Sequence, residues 1–112
     1  MGYITFEVIP LSMSFPLEFK TGFFKIETCL LKIDSKSSQL IFEFHQSKVA
    51  YFVEYENIKK VYYNPKMRHE LAFQTLHDDY IGYMHKEEVQ RGIVDFLKVE
   101  FGEKFKEINL SV

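Results

Sequence analysis

Residues 79–101 read DYIGYMHKEEVQRGIVDFLKVEF, and the hydrophobic period changes partway along them. Up to Met84 the pattern suits a strand; beyond it Val89, Ile93, Phe96, Leu97 and Phe101 recur at the three-to-four spacing of an amphipathic helix. Glu88, Arg91, Asp95 and Lys98 fall mostly outside that stripe. Glu87 and Glu88 suit the positive end of the helix dipole and Gly102 suits its C-terminal cap. Gly92, inside the pattern, costs about 1 kcal/mol relative to Ala and lets the helix approach a sheet closely. Five large side chains at about 1.5–3 kcal/mol each bring on the order of 10 kcal/mol of gross burial, more than any propensity deficit removes. The stretch predicts one C-terminal helix laid as a lid on a β core, with Ile93, Phe96 and Leu97 buried.

Upstream, the chain reads as short strands separated by turns. Ile4, Phe6 and Val8 alternate with Thr5 and Glu7 until Pro10, and Ser12, Ser14 and Pro16 read as a short connection. Phe23 to Ile33 is a long run with Phe24, Ile26, Thr28 and Leu30 on one side. Its apolar phase then slips to Leu31 and Ile33, which predicts a bulge or a bend between sheets. Asp34 to Ser38 and Gln46 to Lys48 supply turns around the strand Gln39 to His45, with Leu40, Phe42 and Phe44 on one face. Val49 to Glu54 and Ile58 to Tyr63 follow, and Asn64-Pro65 stops the latter. Leu71 to Leu76 and Asp79 to Met84 form a hairpin around His77-Asp78. Roughly seven strands precede the helix, and residues 103–112 are a frayed tail or one extra short strand.

The chain has 112 residues, 46% of them hydrophobic, with twelve Phe and seven Tyr, enough to fill one core. We expect a single domain over 1–112 with its core at about 3–102. Fourteen basic residues lie scattered among sixteen acidic ones for a net charge of −2, so no global field drives the chain onto phosphate or anionic lipid. Cys29 is the one cysteine and has no disulfide partner within the chain, which favours a reducing, cytoplasmic compartment. The apolar stretch Tyr3 to Phe15 carries Glu7 and Pro10, lacks a basic leader and is too short to span a bilayer. Gly2 lacks the downstream Ser or Thr of a myristoylation signal, and the sequon at Asn109 carries no weight.

Roughly seven strands followed by one C-terminal helix resembles the pleckstrin-homology-like superfold, including bacterial PH-like and GRAM-like domains. Locally, Tyr55-Glu56-Asn57-Ile58-Lys59-Lys60-Val61 is similar to the Tyr-x-x-Ile-x-x-Val segment that enters the fifth strand of many such domains. The resemblance covers about residues 3 to 102 and implies a seven-stranded roll or barrel capped by the helix. It also implies where lipid would bind: the family's phosphoinositide binders carry a Lys, a spacer and Lys/Arg-x-Arg across the first hairpin. The nearest match here is Lys20, Lys25 and Glu27, and a carboxylate at Glu27 opposes an inositol phosphate.

Residue chemistry adds little that is catalytic. His77, Asp78, Asp79 and His85 are the types that bind transition metals, but their spacing fits no closed site and exposed loop residues explain them better. Cys29 lies within an apolar strand, where a buried, inert thiol is expected. No nucleophile-elbow glycine pattern or phosphate-binding glycine loop is present. Lys59, Lys60, Lys66 and Arg68 interleave with Tyr62 and Tyr63, yet Glu54, Glu56 and Glu70 dilute that patch, so nucleic acid is not an expected partner.

These readings assign no catalytic residue, no metal and no cofactor. They favour a non-catalytic protein-interaction or scaffolding module that binds a protein partner or itself. The expected docking edge is the strand Ile58 to Tyr63, with Ile58, Lys60, Tyr62 and Tyr63 at the interface, because Asn64-Pro65 suits a strand near a sheet margin. PH-like domains that bind peptides often use the corresponding strand, so the resemblance implies the same place. The alternative is a peripheral membrane module that binds anionic lipid weakly through Lys20 and Lys25.

Overall fold

A computed structural model describes residues 12–20 and 25–108. The expected strand at Ile4 to Val8, the Gly2 signal, the start of the run at Phe23 and the sequon at Asn109 lie outside the described residues. The elements run β1 (Ser12–Lys20), β2 (Ile26–Asp34), β3 (Gln39–Phe44), β4 (Val49–Glu54), β5 (Ile58–Asn64), β6 (Glu70–Thr75), β7 (Asp79–Met84), α1 (Lys86–Gln90), α2 (Ile93–Phe101) and β8 (Phe105–Glu107). The fold is mostly β with a C-terminal helix, α2, as the change of period predicts.

All eight described strands form one sheet in the order β4-β3-β2-β1-β7-β6-β5-β8. Neighbours are antiparallel except β8, which joins β5 in parallel. β4 and β8 do not pair with each other, so the sheet is an open roll and the barrel expectation is corrected. Alternation sets the two faces: Phe15, Leu17, Cys29, Leu31, Ile33, Leu40, Phe42, Val61, Leu71 and Phe73 point inward and are buried. Helix α2 closes the core with Ile93, Leu97 and Phe101, and the Phe101 ring centroid lies 5.1 Å from Tyr55 and 6.3 Å from Phe73.

Several elements depart from the sequence expectation. Ser12, Ser14 and Pro16 belong to β1, whose inward set is Met13, Phe15, Leu17 and Phe19; Ser14 and Pro16 occupy the other face. Pro16 is tolerated because β7 pairs with β1 only at Leu17 and Glu18, leaving a strand on one side of the proline. β2 holds one register throughout, with no bulge. Glu27, Cys29, Leu31 and Ile33 face in while Ile26, Thr28 and Leu30 face out, so the apparent slip reflects apolar residues on both faces. The helix starts later than its apolar stripe suggests. Gly92 sits at φ 90°, a left-handed conformation that sets the short piece α1 apart from α2. Phe96 is partly buried beside the core, in place of the full burial expected. The tail forms an extra strand, β8, and Phe105 on it extends the core past residue 102.

Candidate functional site

The strand expected to dock a partner is interior. β5 lies between β6 and β8, and Val61, Tyr62 and Tyr63 are paired on both sides, with β6 at Phe73, Ala72 and Leu71 and with β8 at Phe105, Lys106 and Glu107. Ile58 and Tyr63 are buried, whereas Lys60 and Tyr62 sit half-buried on the outer face. The returning C-terminal chain supplies β8, which occupies the margin that Asn64-Pro65 suggested. Tyr63 serves a structural purpose: its hydroxyl is 2.9 Å from His69 Nδ1, and the two rings are nearly parallel.

That contact fixes an unusual turn. Arg68 and His69 are consecutive non-glycine residues at φ 58° and 57°, each in a conformation that costs about 1–2 kcal/mol. The Tyr63 contact and a Met84 N–H donated to the His69 carbonyl at 3.0 Å hold the turn there. The result carries the Arg68 guanidinium to 5.2 Å from the centre of the Tyr83 ring. Arg68 thereby joins Lys20, Lys25 and Glu18 around a cavity of about 310 Å³ walled by Phe19, Ile26 and Tyr83. The sequence pairs Lys20 with Lys25 and groups Arg68 with Lys59, Lys60 and Lys66; nothing local links position 68 to the first hairpin.

Glu27, the residue expected to oppose an inositol phosphate, does not line that cavity. It is 3% exposed, lies on the inner face, and accepts hydrogen bonds from the Ser47 amide at 2.9 Å and the Ser47 hydroxyl at 2.6 Å. This clamps β2 to the turn between β3 and β4. The turn closes with Lys48 at φ 56° and its N–H donated to the His45 carbonyl.

β4 then runs along the outer margin of the sheet. It pairs with β3 alone, and its far side meets no strand among the described residues. Val49, Tyr51 and Phe52 are 38%, 45% and 62% exposed, so β4 presents apolar side chains to solvent and, among the described residues, an unpaired backbone edge. Tyr51 borders an open cleft of about 500 Å³ shared with Phe19, Phe44, Tyr80 and Ile81. Its ring lies 5.9 Å from Phe44 and 6.1 Å from Tyr80, and Tyr80 stacks on Phe42 at 4.4 Å. The opposite margin is different: β8 is short and carries Lys106 and Glu107, the usual means of discouraging strand addition.

The remaining chemical candidates are scattered. His77 and Asp78 lie exposed in the β6–β7 turn, which Thr75 organises by donating to the Asp78 carbonyl at 2.6 Å and accepting from the His77 and Asp78 amides. His85 follows the other end of β7, roughly 20 Å away by strand rise, with Nε2 3.4 Å from Glu18. Among the described residues no group of three or more His, Cys, Asp or Glu is placed to hold a metal ion. Cys29 is fully buried, and burial pushes its thiol up to about 12 from an ordinary value of 9.0. No described helix is long and apolar enough to cross a membrane.

Compared with known families, the chain matches no family model, and no curated protein shows significant similarity to it.

Proposed function

We propose that this chain is a non-catalytic protein-interaction module that accepts an extended segment along the open edge of β4. The observation that carries this is the exposed, apolar strand Val49–Glu54, which pairs with β3 alone among the described residues. Strand addition takes affinity from main-chain hydrogen bonds and specificity from alternate side chains. Here those side chains meet Tyr51 and the aromatic cleft on one face and Phe52 on the other. Seven antiparallel strands before the helical segment support the likeness to a PH-like roll. The docking edge in this reading is β4, since β5 is covered by β8.

The test is a selection of binding peptides from a random display library, followed by amide exchange on the complex. At concentrations below the onset of any self-association, peptides are expected to slow exchange across Val49–Glu54, and Phe52→Lys is expected to weaken them. Selected peptides that protect other strands and leave β4 unchanged would overturn the proposal.

A second reading rests on a separate observation: Arg68 adds a third cation to Lys20 and Lys25 around one cavity, while Glu27 is engaged by Ser47. A phosphate-bearing headgroup at a membrane surface fits that charge. Flotation with vesicles of neutral lipid, with and without anionic lipid, tests it. Arg68→Glu is expected to abolish anionic-vesicle binding, and binding that survives this change would exclude the cavity.

A further inference from the structure

We infer that the occupant of the β4 edge is β4 of a second copy of this chain, the two strands running antiparallel about a two-fold axis through Tyr51. This rests on the proposal that β4 is the docking edge, and it names the partner.

Symmetry limits the possibilities. Two identical edges that pair antiparallel are related by a two-fold axis perpendicular to the sheet, so residues directly opposite each other come from the same face. In β4 one face carries Val49, Tyr51 and Val53, and the other carries Ala50, Phe52 and Glu54. Two registers keep most of the strand paired. With the axis at Phe52, Glu54 falls opposite Ala50 and Tyr51 opposite Val53, which pairs a carboxylate with a methyl group.

With the axis at Tyr51, every pairing is complementary. Val49 lies opposite Val53 of the other copy, a β-branched pair, and the two Tyr51 rings meet at the axis. Ala50 lies opposite Phe52, small against large, so the exposed Phe52 ring gains a surface to cover. Just beyond the strand, Lys48 comes opposite Glu54, and symmetry makes this pair twice. Among the described residues neither Lys48 nor Glu54 has an ion-pair partner within one copy. Gln39 Nε2 donates to Glu54 Oε1 at 3.2 Å and steadies the carboxylate at the margin. The edge is therefore complementary to itself in charge and in size. The dimer joins two sheets into one continuous sheet, with β8 at each outer end.

Analytical ultracentrifugation from micromolar to millimolar concentration tests the inference, with an expected species of twice the 13.4 kDa chain mass. Lys48→Glu and Glu54→Lys should each weaken association about tenfold, because both opposite-charge pairs become like-charge pairs. An equimolar mixture of the two variants should associate as tightly as the parent. In the mixed dimer the acidic chain meets the basic chain at both pairs, so opposite charges face each other again. A parent that stays monomeric, or a mixture no tighter than its components, overturns the inference. Amide exchange separates this from failure of the docking edge itself. A monomer whose β4 is protected only by a selected peptide keeps the edge and loses the second copy. A monomer in which the outward-pointing β4 amides, those not bonded to β3, are already protected shows the edge held within one chain, and overturns both.

Discussion

Glu27 on β2 accepts two hydrogen bonds from Ser47, through the amide and the hydroxyl, and so ties the middle of the sheet to the turn that launches the β4 edge. A buried carboxylate is retained only where donors replace its lost hydration, and Ser47 provides them. Glu27 thus shapes the margin of the sheet. Glu27→Ala should cost about 1.5–3 kcal/mol, because hydrogen bonds to a charged acceptor contribute that much and no substitute acceptor remains. In a domain of this size the midpoint of thermal unfolding should fall by about 6–13 °C. Glu27→Gln, which keeps one acceptor oxygen, should lose less. Unchanged melting of the alanine variant, with unaltered exchange of the Ser47 amide, would show that the clamp contributes nothing.

The lid is tested at neighbouring positions on α2. Leu97 is fully buried on its inner side, whereas Phe96 is only partly covered and Val99 is 84% exposed. Leu97→Asp places an unpaired carboxylate in the core and should abolish cooperative unfolding. Phe96→Asp should lower stability while leaving a cooperative transition, and Val99→Asp should change it by less than about 0.5 kcal/mol. Circular dichroism melts of the three variants check this order; equal effects of Leu97→Asp and Val99→Asp would refute the packing of α2.

Some strands are legible in the sequence and others are not, for physical reasons. β3, β4 and β7 are legible because their turns hold Asp34, Gln46 to Lys48 and Asp78, residues that fit turns for local reasons. Asp34 Oδ1 does accept the Lys36 and Ser37 amides at 3.1 and 3.4 Å. β1 is hidden because Ser14 and Pro16 resemble a loop when the inward set Met13, Phe15, Leu17 and Phe19 is not read first. The margins of the sheet are not legible at all. Which strand ends beside no other is decided by long-range pairing, and a strand as short as β8 leaves almost no periodic signal. The third cation of the cavity, Arg68, is invisible for the same reason: it arrives through the Arg68-His69 turn and not through spacing.

Gly92 separates two views of the helical segment by the sign of one substitution. In a continuous helix Gly92→Ala would stabilise by about 1 kcal/mol. At φ 90° a Cβ meets nothing within 4 Å, so no clash arises, but the left-handed backbone itself disfavours Ala by about 1–2 kcal/mol. The variant should therefore be destabilised. A urea midpoint above that of the parent would mean that α1 and α2 form one helix.

Cys29 couples the stability of the fold to alkaline pH. Burial raises its thiol from 9.0 to about 12, and the neighbouring carboxylates Glu27 and Glu43 push in the same direction. A group whose folded value lies above its unfolded value binds its proton more tightly when folded, so its contribution to stability is complete below pH 9. Between pH 9 and about 12 the unfolded chain ionises its thiol while the folded chain does not, and stability falls by up to about 1.4 kcal/mol per pH unit from this group. Burial also raises Tyr55, Tyr63 and Tyr80, so a residual alkaline loss is expected above pH 10 when the cysteine is absent. Cys29→Ala should thus unfold with a shallower dependence on pH between 9 and 10, where the thiol is the raised group that titrates first. Urea unfolding of parent and variant at pH 8, 9 and 10 checks this, alongside thiol labelling at pH 8, which should proceed only as fast as the chain unfolds. Rapid labelling of the native protein, or identical pH slopes for the two chains, would place Cys29 outside the core that Leu17 and Phe44 enclose on the neighbouring strands.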